Sequence, residues 1–152
     1  MSETKQTPMQ LALAQAQAAA QRGEVPVGAV IIEAKTGHLI ATACNRTEER
    51  NDPTAHAEIM AIREATSRQG APRLQDCDLY VTLEPCAMCA AAISFARIRR
   101  LYFGAYDAKS GGVDHGAKVF DHDTCHHKPE VIGGVNETEA AELLKEFFKE
   151  RR

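Results

Sequence analysis

Apolar positions along this chain switch between the period of a helix and that of a strand, with proline, glycine and asparagine marking the joints. Thr7 followed by Pro8 opens a first helix and Gly23 closes it, with Met9, Leu11, Leu13 and the alanines giving a modest apolar face. Two β-prone runs follow, Val27 to Glu33 and His38 to Ala43, folded about Lys35-Thr36-Gly37 as a hairpin. Asp52-Pro53 reads as the start of a second helix. It turns Ile59, Ile62 and Ala65 to the core and Arg63, Glu64 and Arg68 to water, and Gly70-Ala71-Pro72 ends it. Leu79 to Leu83 is a buried strand, Pro85 to about Arg97 a helix, and Leu101-Tyr102-Phe103 another strand, an order that predicts a parallel crossover. From Asp107 to Lys128 the chain is polar and glycine-rich, which predicts irregular structure at a functional rim. Asn136 with Glu139 writes a capping-box-like start for a last helix whose apolar side is Leu143, Leu144, Phe147 and Phe148. These elements predict an α/β fold, a three-layer α/β/α sandwich around a mixed sheet of roughly five strands. We expect one domain over residues 1–152.

The chemistry concentrates where strand meets helix. Cys86 and Cys89 are three residues apart just after Pro85, and with Pro85 as the first helical residue both thiols lie on one face of the first turn. The free N–H groups and positive dipole end there favour thiolates, the form a zinc ion requires. His56 adds a neutral imidazole from the second helix. Structural zinc sites close with four Cys or His ligands, whereas catalytic ones keep three protein ligands and leave the fourth position to water. Glu58, two residues beyond His56, is placed to take a proton from that water and to deliver it to a leaving nitrogen. The pattern H-x-E followed by P-C-x-x-C is the signature of zinc nucleobase deaminases, and His56-Ala57-Glu58 with Pro85-Cys86-Ala87-Met88-Cys89 completes it. Met88, between the two thiols, is expected in the core.

Several further segments keep the same order as in one family: Glu24-Val25-Pro26-Val27-Gly28, Asn45-Arg46, Asp52 to Ile59, Phe103-Gly104-Ala105, Asp107-Ala108-Lys109 and Phe147-Phe148. With the zinc motifs, the chain resembles the bacterial tRNA-specific adenosine deaminases of the cytidine deaminase superfamily, from its first helix to its last. The resemblance implies a cytidine-deaminase-like fold, one zinc per subunit on His56, Cys86 and Cys89, and Glu58 as the catalytic proton shuttle. The reaction it implies is deamination of adenosine to inosine at the wobble position of a tRNA anticodon. It further implies that Asn45 contacts the base, that Asp107 and Lys109 approach the nucleic acid, and that Phe147, Phe148, Arg151 and Arg152 on the last helix meet the anticodon loop. A homodimer is implied as well, and the small run Ala90-Ala91-Ala92 suits either a subunit contact or a tight internal core. In that family the segment from Val25 to Gly28 lies beside the pocket, with the glycine allowing close backbone approach. Judged on residues alone, Asn45 at a strand end is more often a turn residue, and core packing is the default for either phenylalanine.

Composition narrows the partners. The net charge of −3 excludes a protein coated in basic residues, so contact with RNA must be local. Arg97, Arg99 and Arg100 form one cluster and Lys145, Lys149, Arg151 and Arg152 another, and each also reads as a solvated helix face. Five cysteines are an odd number, two already assigned to metal, which argues against a disulfide framework; Cys44, Cys77 and Cys125 read as free thiols. Cys125-His126-His127 has no partner motif for a second metal and reads as surface or pocket rim. Neither a membrane-spanning apolar run nor a secretory signal is written in the chain, so a cytoplasmic protein is expected. Two rivals share parts of this pattern: a deaminase of a free base or nucleoside such as guanine or cytosine, and a non-enzymatic RNA-binding module with structural zinc. Glu58 and the open fourth position speak against the second.

Overall fold

In the computed structural model, which describes residues 5–151, Thr7 caps α1 (Pro8–Gln21). Its Oγ1 accepts the Gln10 N–H at 3.2 Å while Gln10 Oε1 accepts the Thr7 N–H at 2.8 Å, so two donors that a helix start leaves free are satisfied together. The hairpin follows as β1 (Gly28–Glu33) and β2 (Leu39–Cys44), then a single turn α2 (Thr47–Arg50), α3 (Ala57–Gln69) and β3 (Cys77–Leu83). The chain continues through α4 (Ala87–Phe95), β4 (Arg100–Ala105), β5 (Glu130–Ile132) and α5 (Glu137–Glu150). The five strands lie in the order β2-β1-β3-β4-β5. β1 runs antiparallel to β2 and β3, and β3, β4 and β5 are parallel.

Alternation along the strands builds the three layers. Ala29 and Ile31 of β1, Leu79 and Val81 of β3, and Leu101 and Phe103 of β4 enter one core with Ala57, Ala61 and Ala65 of α3 and Ala90 and Ile93 of α4. Val30, on the opposite face, packs with Met9, Ala12 and Leu13 of α1 and Ala140 of α5. Tyr80 and Tyr102, paired across β3 and β4, stack on that second face with ring centroids 4.2 Å apart. α1 lies so close to the sheet that a Cβ on Gly28 would collide with the backbone of Ala12 and Ala16. The close approach expected at this glycine is therefore to a helix and not to the pocket.

Several boundaries differ from expectation. Neither Asp52-Pro53 nor Pro85 begins a helix: the caps are His56 and Cys86, both with extended backbone, and Asp52 instead accepts the Thr54 N–H and hydroxyl in a local turn. On α3 the buried residues are Ala57, Glu58, Ala61 and Ala65, with Ile59 and Ile62 only half-buried. Small residues on this face, opposite Ala41 and Ala43 of β2, let helix and sheet approach more closely than isoleucines would allow. Met88 is 36% exposed on the outer side of α4 and lies outside the core. Asn136 caps α5 with a left-handed backbone and no side-chain bond to it; its Nδ2 donates to Glu139 Oε1 at 2.9 Å, so no capping box forms. β5 lies within sequence that gave no strand signal.

Candidate metal centre

Both helix starts that face the centre of the sheet carry ligand-type residues. His56 precedes α3 and Cys86 precedes α4, each on the extended residue where strand-side chain turns into helix, and Cys89 follows within the first turn of α4. Together His56, Cys86 and Cys89 are the one such group among the described residues, with a donor atom from each lying within 4.8 Å of the others. His56 Nδ1 is 3.7 Å from Cys86 Sγ and 3.4 Å from Cys89 Sγ. A tetrahedral zinc ion with bonds of about 2.0–2.3 Å keeps its donors roughly 3.5–3.8 Å apart, so one nitrogen and two sulfurs at these separations fit it.

The electrostatics fit the same ion. The Cys86 thiol is pushed down to about 4, chiefly by the hydrogen bond from Cys89, with burial opposing and His56 adding to the effect. That same hydrogen bond, with burial and the nearby Glu58, holds the Cys89 thiol well above its ordinary value. His56 is raised by its contact with Cys86, against burial. Two sulfurs and an imidazole sharing protons in this way form an electron-rich cluster that a divalent cation relieves by taking the place of the protons. Glu58, on the first turn of α3, is 4% exposed and is pushed up to about 7, mainly by burial. A carboxyl poised near neutrality is suited to both accepting and giving a proton.

Asn45, at the end of β2, joins this constellation in an unexpected way. Its Oδ1 accepts the Ala57 N–H at 2.8 Å and so satisfies a free donor at the start of the helix that carries His56 and Glu58. With the oxygen so placed, Nδ2 is the donor this side chain has left to offer, and Asn45 lines the pocket. The pocket itself is a cavity of about 250 Å³ with Val25, Val27 and Leu83 as aliphatic wall and Asn45, Thr47, His56, Glu58 and Cys86 as polar lining. Asp107 and Ser110 close it on one side. Val25, Leu83, Asp107 and Ser110 also line a second cavity of about 680 Å³, so pocket and groove are continuous.

The groove gathers Tyr106, Lys109, Leu144, Phe148 and Arg151. Of the residues expected to meet nucleic acid, Asp107, Lys109, Phe148 and Arg151 are therefore brought together. Phe147 is not: it is 6% exposed, with the Arg151 guanidinium 3.6 Å above its ring centre and the Phe148 ring at right angles, 5.3 Å away. It serves as a platform that holds the two groove residues. Arg152 lies outside the described residues. In the other basic cluster, Arg99 binds Asp78 with two nitrogens and Arg100 binds Glu130. These arginines are occupied by ion pairs. His127 meets the Ile98 carbonyl at 2.6 Å and Cys125 donates to the His127 carbonyl at 3.2 Å, which ties this segment to the end of α4. Sequence reasoning missed Thr47, Leu83, Glu84, Tyr106 and Ser110 as lining residues. Glu84 alone carried a signal, a charge at the end of an apolar strand.

The cytidine and deoxycytidylate deaminase zinc-binding region matches residues 2–105. A tRNA-specific adenosine deaminase of Agrobacterium fabrum is 57% identical over 144 residues, covering 95% of this chain and 93% of its own. A solved structure from work on A-to-I editing by tRNA:A34 deaminases at the wobble position of transfer RNA superposes with a TM-score of 0.87 at 57% identity, covering 90% of this chain and 98% of its own. A guanine deaminase from Nitrosomonas europaea superposes with a TM-score of 0.75 at 25% identity, covering 92% and 82%.

Proposed function

The chain belongs to the cytidine and deoxycytidylate deaminase family, among the tRNA-specific adenosine deaminases, and we propose that it deaminates adenosine to inosine at the wobble position of a tRNA anticodon. The observation that carries this reading is the continuity of the 250 Å³ pocket with a groove of about 680 Å³, far more surface than a single base needs. One zinc per subunit, held by His56, Cys86 and Cys89, supplies a Lewis acid and brings the ionisation of water toward neutral pH.

The chain's own residues do the rest. Val25, Val27 and Leu83 enclose the purine faces and exclude bulk water, and Asn45 Nδ2 donates to a ring-nitrogen acceptor to set the base's orientation. Glu58 takes the proton of the attacking water and passes protons to the amine on the adenine ring until it leaves as ammonia, so that adenosine and water become inosine and ammonia. In the groove, Tyr106 and Phe148 offer aromatic faces to bases splayed from the anticodon loop, and Lys109 and Arg151 offer charge to its phosphates. Such an arrangement extracts one nucleotide from a loop while holding its neighbours.

A homodimer is part of the proposal. Phe95 is 76% exposed and Met88 36% on the outer side of α4, with Ala91 and Ala92 between them, an apolar face that suits a second copy of the chain. Among the described residues no helix is long and apolar enough to cross a membrane, and the tRNA substrate favours a cytoplasmic location.

The deciding experiment compares substrates. Zinc-loaded protein is given an anticodon stem-loop RNA, free adenosine and free guanine, and the products are quantified by mass spectrometry. We expect the stem-loop to exceed either small molecule by roughly a hundredfold or more in kcat/KM, because contacts remote from the reacting atom lower the barrier only when the remote groups are present. Faster turnover of guanine than of the stem-loop would place the chain with the free-base deaminases.

A further inference from the structure

The rim loop that carries Asp107, Lys109 and Ser110 is irregular, yet one side chain holds it at five points. Glu84, at the end of β3, is buried, and its Oε1 accepts the Asp107 N–H at 3.1 Å and lies 2.8 Å from His115 Nδ1. Its Oε2 accepts the N–H groups of Val113 at 3.2 Å, Asp114 at 2.9 Å and His115 at 3.1 Å. A carboxylate only accepts, so His115 Nδ1 carries its hydrogen toward it. The loop also folds tightly over this anchor: Gly112 N–H donates to the Pro85 carbonyl at 2.7 Å, and a Cβ on Gly111 would collide with Glu84 Oε2. Asp107, tethered by its N–H, turns its own Oδ1 back to accept the N–H groups of Lys109 at 3.1 Å and Ser110 at 3.0 Å. An unbroken series of hydrogen bonds thus runs from Glu84 to the residues that form both pocket wall and groove floor.

A buried carboxylate is costly unless donors surround it, and an apolar side chain would fill the same space without that cost. Five donors converging from residues 107 to 115 therefore point to the loop, and not to the core, as what this group serves. Glu84 lines the pocket, but no hydrogen bond joins its side chain to His56, Cys86 or Cys89, and of its partners Asp107 lines both pocket and groove.

We propose that Glu84 is a positioning residue for substrate capture: it locks the Asp107–Ser110 rim in the one arrangement that joins pocket to groove. The inference rests on the reading of an RNA loop as substrate. It assigns Glu84 to binding of the flanking nucleotides and not to the proton transfers.

Glu84→Gln tests it, since the amide keeps the shape but its nitrogen cannot accept, so at least one group of donors loses its partner. In the full-length, zinc-loaded protein, we expect KM for the anticodon stem-loop to rise about tenfold or more, with kcat within about threefold of wild type and zinc content unchanged. Amide exchange at Asp107, Val113, Asp114 and His115 should accelerate. Combined with Asp107→Ala, the two effects on KM should overlap rather than add, because both act through one loop. An unchanged KM overturns the proposal, and so does a loss confined to kcat or accompanied by loss of zinc, either of which would assign Glu84 to the metal centre. Should Glu84→Gln fail to fold, His115→Ala removes a single side-chain donor and spares the carboxylate; a smaller rise in KM supports the proposal and no rise overturns it. Failure of the wild-type protein to convert the stem-loop overturns the substrate reading and this proposal with it. A converting wild type with an unmoved variant overturns the positioning role alone.

Discussion

Asn45 holds a helix start with its oxygen and lines the pocket, where the proposed function assigns its nitrogen to the base, and two substitutions separate these tasks. Asn45→Asp keeps an acceptor within reach of the Ala57 N–H, adds negative charge at the positive end of α3, and removes the pocket-side donor. Asn45→Ala removes both. Loss of such a cap costs typically about 1 kcal/mol. At this chain length that corresponds to a drop in Tm of roughly 2–4 °C. The donor to the base is worth more, since a buried acceptor on the purine would be left without a partner, at about 1–3 kcal/mol. That range converts to a fall in kcat/KM of about fivefold to 150-fold. Asn45→Asp should sit at or beyond the upper end, because a carboxylate there repels the ring-nitrogen lone pair that the amide attracted. Calorimetric melting of the zinc-loaded proteins and steady-state deamination of a stem-loop RNA provide the two readouts. The expected result is Asn45→Ala less stable and less active, and Asn45→Asp nearly as stable as wild type yet the less active of the two. If Asn45→Asp melts as low as Asn45→Ala, or deaminates at the wild-type rate, the division of labour argued from the 2.8 Å contact is wrong.

Four other outcomes follow from the site and its surroundings. Cys86→Ala should lose most of its zinc by elemental analysis, since two of three donors do not hold a tetrahedral ion firmly; full retention would remove Cys86 from the ligand set. Glu58→Gln should retain zinc while kcat falls by about 10²–10⁴, the usual worth of a general acid–base group, and comparable turnover with intact metal would remove Glu58 from the mechanism. Phe148→Ala should weaken stem-loop binding by roughly 1–3 kcal/mol in a titration, the scale of one base stacked on one ring, and leave the melting temperature nearly unchanged because the ring is 49% exposed. Phe95→Glu should convert a dimer to a monomer in light scattering at micromolar concentration, and a wild-type protein that is already monomeric would sink the proposed α4 contact.

Much of this protein is legible in its sequence because the relevant physics is local. A cap and its reciprocal glutamine lie within one turn, a hairpin closes over the five residues between Glu33 and Leu39, and a cysteine pair spaced for one helical turn presents both sulfurs to one side. Those short-range rules were enough to identify α1, the hairpin and the parallel crossover, and to single out His56, Cys86 and Cys89, which the fold brings together. Tertiary structure decided what depends on distant partners. Helices α3 and α4 begin at His56 and Cys86 and not at the prolines before them, because capping bonds and packing at the pocket, such as Asn45 to Ala57, set where each helix starts. β5 is a three-residue strand with no alternation of its own, and exists because β4 offers it a free edge. Phe147 and Phe148 are adjacent and chemically identical; only the way α5 docks on the sheet sends one inward and leaves the other on the groove. Glu84 is the plainest case, for its five donors lie 23 to 31 residues along the chain. No periodicity carries information over that separation; it takes the folded sheet to bring the loop back over the end of β3.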